Sequence, residues 1–413
     1  MSTPPDNTPK PISPTARIGQ ALRKLWSALG LRTLRLGRRG LIVLIVIVSS
    51  LTIAMAGLLV RYIAQPAPIP DLLPVGIDYP PHFMYTIIGV NQPMGVALSP
   101  DGKKLYVTEV NGDRQVKILE TDTGKIIREV SPPTSTPGER APVYVTVDAI
   151  GRLYVSDRLQ HAIFIYSGEG DYLDTILESS MTLSGYVLKQ AGELPANSIY
   201  YFNIFMAGVQ YKLGGASDWK VAPPPDKPTW SPLGLSISPD GRLLVTNIGN
   251  QESQILAYPA GLTTATSRAM LPLEPEIFGA FGNDNGQLTF PNDAVVDSKG
   301  RYYVADSNNG RISVWDAQFN YLFFFGQGNG TGGLGLPHGA YMDSKDRLFV
   351  ADATAHNVKV YNASGDRPVF LYSFGEHGPY DGQFNYPNDV VMSSDGKLYI
   401  ADRANDRIAV WSY

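Results

Sequence analysis

Residues 290–315 read FPNDAVVDSKGRYYVADSNNGRISVW, and residues 386–411 read YPNDVVMSSDGKLYIADRANDRIAVW. Between them, LPHGAYMDSKDRLFVADATAHNVKVY spans 336–361. Self-similarity at a period of about 46–59 residues marks a radial or solenoid array in which each repeat is one supersecondary unit. Each copy opens on Pro, runs through a short apolar stretch such as Ala294-Val295-Val296, and turns at Ser298-Lys299-Gly300. Gly at that turn accepts the positive φ of a tight hairpin. An alternating strand from Arg301 to Ala305 ends on Asp306; a polar turn leads to Arg311–Trp315, and a fourth strand, Tyr321–Phe325, stops at Gly326. Four short strands bounded by turn residues make one blade of a β-propeller.

Weaker copies extend the array toward the N-terminus. The opening prolines fall at 93, 142, 232, 291, 337 and 387, giving six blades. The last copy ends at Tyr413 after its third strand, and residues 83–88 form a strand with no repeat before them. Placing 83–88 in the last blade closes the ring and removes an exposed sheet edge. The 90 residues between Pro142 and Pro232 are about twice a normal unit. Residues 178–229 are either an insertion or a degenerate seventh blade; we prefer the insertion, because loops on one face of a repeat fold absorb inserts.

The string Pro-Asn-Asp-Val-Val, then Asp-Gly-Lys-Leu-Tyr-Ile-Ala-Asp-Arg, then Asn-Asp-Arg-Ile (387–408) closely resembles the NHL repeat, a builder of six-bladed propellers. The resemblance covers about 82–413. It implies an all-β fold but leaves function open, because the family includes enzymes, RNA-binding modules and protein-interaction platforms.

The N-terminal side is of another kind. Residues 41–60, LIVLIVIVSSLTIAMAGLLV, are twenty consecutive uncharged positions, enough to span a bilayer as a helix. A retained anchor at 41–62 is preferred to a cleaved signal peptide, because the run is long and starts after forty residues. Eight Lys/Arg lie upstream against Asp6 alone, whereas only Arg61 precedes Asp71 and Asp78 downstream. The positive-inside rule puts residues 1–40 in the cytoplasm and the propeller outside a cell membrane crossed once. The first fifteen residues read as disordered; 16–36 read as either an interfacial helix or the anchor's basic flank. Residues 63–81 carry six prolines from Pro66 to Pro81 and read as an extended stalk.

Residues 1–63 hold nine Lys/Arg and one Asp, leaving 25 basic and 37 acidic residues, a balance of −12, for the rest. An acidic propeller has no electrostatic footprint for nucleic acid. Zero cysteine removes disulfides, thiolate metal sites and cysteine nucleophiles, and points to a prokaryotic envelope protein. The sequons at Asn329 and Asn362 are short enough to arise by chance.

Two residue sets are candidates for more than folding. Asp157, Asp306, Asp352 and Asp402 recur where the second strand ends, with Glu109 and Asn247 in the weaker copies. Because Asp306 with Arg311, and Asp402 with Arg407, keep one spacing within one hairpin, they read as structural turn pairs. The residues after each opening proline vary and surround the central channel. Three neighbouring blades offer Asn292, Asp293, His338, Asn388 and Asp389 there. This oxygen-rich set with one imidazole could bind a ligand, or hold Ca²⁺ or another divalent ion through Asp293, His338 and Asp389; turn hydrogen bonding is the plainer reading, and no cofactor is required.

Peptidyl-amidating lyases resemble this repeat, including a Leu-Pro-His segment, and place three histidines around a zinc. Only His338 matches, with Pro-Asn-Asp at 291–293 and 387–389; His82, His161, His356 and His377 fall elsewhere in the repeat. Lactonases related to gluconolactonase use a Glu/Asn/Asp calcium site, a motif not matched here. No nucleophile elbow, phosphate loop or dinucleotide fingerprint occurs. The expectation is a membrane-anchored binding platform for an envelope protein partner, with a metal-dependent lyase or hydrolase at the channel mouth as the alternative.

Overall fold

The computed structural model describes residues 38–64, 79–226, 230–249, 252–260, 262 and 273–413. It divides into two units, 1–66 and 67–413.

In the first unit, Arg38–Ala64 is a 27-residue helix, α1, about 40 Å long at 1.5 Å per residue. It contains all twenty uncharged positions and extends the expected 41–62 by a few residues at each end. On the described residues, no helix is long and apolar enough to cross a membrane; α1 is described over its full backbone but in only part of its side chains. Residues 1–37, with the expected disordered and basic segments, and 65–78 of the expected stalk lie outside the described residues.

The second unit is a ring of six antiparallel sheets. Blade 1 runs from Pro93 to Val130, blade 2 from Pro142 to Glu178, and blade 3 from Pro232 to Phe278. Blade 4 spans Pro291–Phe325, blade 5 Pro337–Phe374 and blade 6 Pro387–Ser412. Each blade begins with an inner strand on its proline, and each inner strand packs against those of the two neighbouring blades. The ring closes where His82–Ile87 becomes the outer strand of blade 6, pairing Phe83 with Trp411 and Ile87 with Ile408. The cores lie between blades: Val295, Tyr303 and Val314 of blade 4 pack on Leu348 and Val350 of blade 5.

The repeated acids tie each hairpin to the loop before it. Asp306 accepts the Thr289 backbone N–H at 2.7 Å and the Arg311 Nε–H at 2.7 Å. Arg311 also donates to the carbonyls of Asn283, Asp284 and Gln287. Asp402 and Arg407 repeat this arrangement with Asn385, Pro379, Tyr380 and Gln383. Lys359 and Lys117 replace the arginine in blades 5 and 1, pairing with Asp352 and Glu109.

Residues 178–229 do not make a four-stranded blade. A short strand, Met181–Thr182, extends blade 2. Thr182 then caps helix α2 (Leu183–Ala191) by accepting the Gly185 N–H, and Gly192 ends it in the left-handed region. A three-stranded sheet follows: Ile199–Tyr201, Val209–Lys212 and Lys220–Ala222. Leu183, Val187, Tyr200, Val209, Tyr211 and Ala222 give this subdomain its own core. The Trp230 indole N–H, bonded to Leu177 O at 2.9 Å, returns the chain to the ring.

Candidate functional site at the inner ring

Every inner strand carries a bulge or irregularity just after its proline, a device that re-aims side chains. The second residue of each strand divides the ring in two. Met94, Val143 and Leu233 make one half apolar, joined by Val110, Ile248 and Phe290. Asn292, His338 and Asn388 make the other half polar, and all three are buried.

The third residue alternates around the ring: Gly95, Tyr144, Gly234, Asp293, Gly339, Asp389. Each glycine admits the bulky neighbour in the next blade. A Cβ on Gly339 would lie 2.2 Å from Asp389 Oδ1, and one on Gly234 1.9 Å from the Asn292 carbonyl. Each aspartate in turn reaches forward by one blade. Asp293 Oδ2 accepts Ala340 N–H at 2.9 Å, and Asp389 Oδ2 accepts Val96 N–H at 2.9 Å. Their second oxygens accept the N–H of the following residue, Ala294 or Val390, at 2.8 Å.

No cation pairs with either aspartate among the contacts described. Burial pushes the Asp293 carboxyl up to about 7. Burial, then the charge of Asp293, holds Asp389 well above the usual carboxylate range. Two carboxyls that penalise each other's charge retain a proton near neutrality. Tyr144 is buried beside them and stays a phenol for the same causes.

His338 is oriented by Asn388. The Asn388 amide N–H donates to Met94 O at 3.0 Å, which turns its Oδ1 toward His338 Nδ1 at 2.8 Å. Nδ1 therefore carries the proton, and Nε2 is left as the basic nitrogen. Burial lowers this imidazole below its ordinary range, so it is neutral at pH 7. Asn292 is held by the Ser307 hydroxyl at 2.6 Å.

The five residues expected at the channel thus lie on its inner strands. Among the described residues, no group of three or more His, Asp or Glu side chains is placed to hold a metal ion. Within the expected trio Asp293, His338 and Asp389, the carboxylates are turned onto backbone amides of their own and the next blade. The His338 ring packs edge-on against Tyr386 at 5.5 Å instead.

Sequence reasoning passed over the rim. Arg403 lies over the Tyr386 ring at 5.8 Å, and Arg158 over Phe290 at 5.9 Å. Phe290 and Tyr386 have φ near +58° and +61° directly before proline, a conformation that costs free energy and persists only where packing enforces it. His356 Nδ1 accepts the Tyr386 N–H at 3.1 Å and its ring lies 4.2 Å from His377.

The NHL repeat family model matches residues 288–315 and 384–411, the inner hairpins of blades 4 and 6. The chain is thus a ring of six sheets that carries NHL repeats in two of its blades. The B-box type zinc finger protein ncl-1 of Caenorhabditis elegans is 33% identical over 152 residues, 32% of this chain and 17% of that protein. The chain therefore spans under a fifth of that relative's length. A streptogramin B lyase structure aligns over 80% of this chain and 98% of its own, at 13% identity and TM-score 0.49. A catalytically inactive virginiamycin B lyase from Staphylococcus aureus, solved with quinupristin, aligns over 80% and 98% at 13% identity and TM-score 0.47.

Proposed function

We propose that this chain is a propeller tethered to the outer side of a cell membrane by α1, acting as a platform for a protein partner in the cell envelope. The observation that carries the platform reading is how the inner ring uses its polar groups. Asp293, Asp389, Asn292 and Asn388 are bonded to neighbouring blades or hairpins, so they act first as ties. Side chains open to a partner lie at the rim, where Arg158 is exposed and Arg403 half-buried over Tyr386. The anchor reading is supported by twenty uncharged residues within one helix and by the basic excess before it.

A second reading, a lyase or hydrolase at the channel mouth, draws support from His338. It is a neutral imidazole whose fixed tautomer leaves Nε2 basic, as a general base requires. A photo-crosslinking residue at Arg158 or Arg403, in intact cells, separates the two. The platform predicts one discrete protein adduct that survives His338→Gln. Absence of any adduct, with stoichiometric Ca²⁺ or Zn²⁺ lost on Asp293→Asn and Asp389→Asn, supports the enzyme.

A further inference from the structure

The sheet of the inserted subdomain has an outer face of the wrong character for water. Its register pairs Ile199 with Lys212, and Tyr201 with Gln210 and then Val221. Strand alternation sends Tyr200, Val209, Tyr211 and Ala222 inward, where they are buried. It sends Ile199, Tyr201, Gln210, Lys212 and Val221 outward. Trp219 joins this outer face, since its ring contacts that of Tyr201 at 5.9 Å. Tyr201 in turn rests on Tyr172 of blade 2 at 6.0 Å, and the Tyr172 hydroxyl is fixed by Thr175 at 2.8 Å. Four of these six side chains are apolar or aromatic, with Trp219 49% and Val221 68% exposed. A solvated antiparallel sheet face is ordinarily polar.

We infer that this face rests on the bilayer surface, with Trp219 and Val221 at the headgroup level and Lys212 beside them. The inference rests on the reading of α1 as the anchor. Only fourteen residues separate Ala64 from Tyr79, a reach of about 50 Å when fully extended. A propeller so tethered meets the membrane without paying the cost of bimolecular association. Six side chains are far fewer than the roughly 20–30 per side that a stable protein interface uses. They suffice for an aromatic and basic contact with lipid headgroups. The aromatic ladder from Tyr172 through Tyr201 holds the Trp219 ring in place for that contact.

The test uses the full chain with Trp26→Phe, reconstituted into phosphatidylcholine–phosphatidylglycerol vesicles with and without brominated acyl chains. Trp230, Trp315 and Trp411 are buried in the propeller, so bromolipid quenching reports on Trp219. The inference expects quenching that disappears on Trp219→Phe, and acrylamide access to Trp219 that rises at least twofold on Val221→Asp. Vesicle flotation with no bromolipid quenching, and Trp219 open to acrylamide, would overturn the inference and leave the anchor standing. Failure to float with the vesicles would overturn both. A protein partner shielding Trp219 from acrylamide without bromolipid quenching would also overturn it.

Discussion

Replacing Gly339 by Ala tests the packing of the inner ring at its tightest point. The added methyl would stand 2.2 Å from Asp389 Oδ1, 2.6 Å from Asp389 Cα and 2.8 Å from the Asn388 carbonyl. Ordinary contact needs about 3.5 Å, so two adjacent inner strands must part by about 1 Å. Overpacking of this kind costs about 1–3 kcal/mol. Displacing the Asp389 carboxylate also loosens its bonds to Val96 and Val390, at about 1–3 kcal/mol for a buried amide left unpaired. The sum is about 2–6 kcal/mol, a large share of the roughly 5–15 kcal/mol that stabilises a native domain. Gly339 is not among the positive-φ residues, so the effect is steric and not conformational. Gly330→Ala, where no atom lies within 4 Å, is the control. Urea unfolding of the full chain in detergent, followed by tryptophan emission, should lower the midpoint sharply for Gly339→Ala and hardly at all for the control. A loss below about 1 kcal/mol at Gly339 would refute the close interblade packing.

Three further outcomes follow from the same geometry. The buried Asp293 carboxyl, raised to about 7 in the folded chain, ionises near 4 when unfolded. The unfolded state then binds fewer protons, so stability falls as pH rises from about 4 to 7, by about 1.4 kcal/mol per pH unit per proton; Asp293→Asn should flatten this slope in urea midpoints measured at pH 5 and 7.5, and an unchanged slope would count against the protonated pair. Arg407→Lys removes the fork that reaches Pro379, Tyr380 and Gln383, and should cost about 2–4 kcal/mol by the same melts. Deleting 82–90 removes the outer strand of blade 6 and should leave the chain in the insoluble fraction, whereas a soluble, cooperatively unfolding product would refute closure at that strand.

The blades were legible because each repeat carries its own turn and strand punctuation. The prolines at 93, 142, 232, 291, 337 and 387 open the six inner strands. The turn pairs Asp306–Arg311 and Asp402–Arg407 follow from spacing within one hairpin. The site was only partly legible. Asn292, Asp293, His338, Asn388 and Asp389 could be placed at the channel, but not the direction in which their carboxylates turn. That depends on backbone amides of the next blade, 47 residues away for Asp293 and 293 for Asp389. A signal was present and missed: the third residue of each repeat alternates glycine with Tyr144, Asp293 and Asp389, which marks interlocking and brings Tyr144 into the ring. The Arg158–Phe290 contact was hidden because its two residues belong to different repeats. The repeated Gly282…Gly286-Gln287 and Gly378…Gly382-Gln383 loops were equally readable, and the first glycine of each sits against the glutamine side chain that ends it.

The anchored platform stands or falls on which side of a membrane the propeller lies. Protease added to intact cells or spheroplasts, with the full chain tagged at both ends, measures this directly. The account predicts loss of the C-terminal tag, a protected N-terminal fragment ending near α1, and retention of that fragment with the membrane. Full protection of the C-terminal tag, or a propeller released to the medium without its first sixty residues, would contradict it.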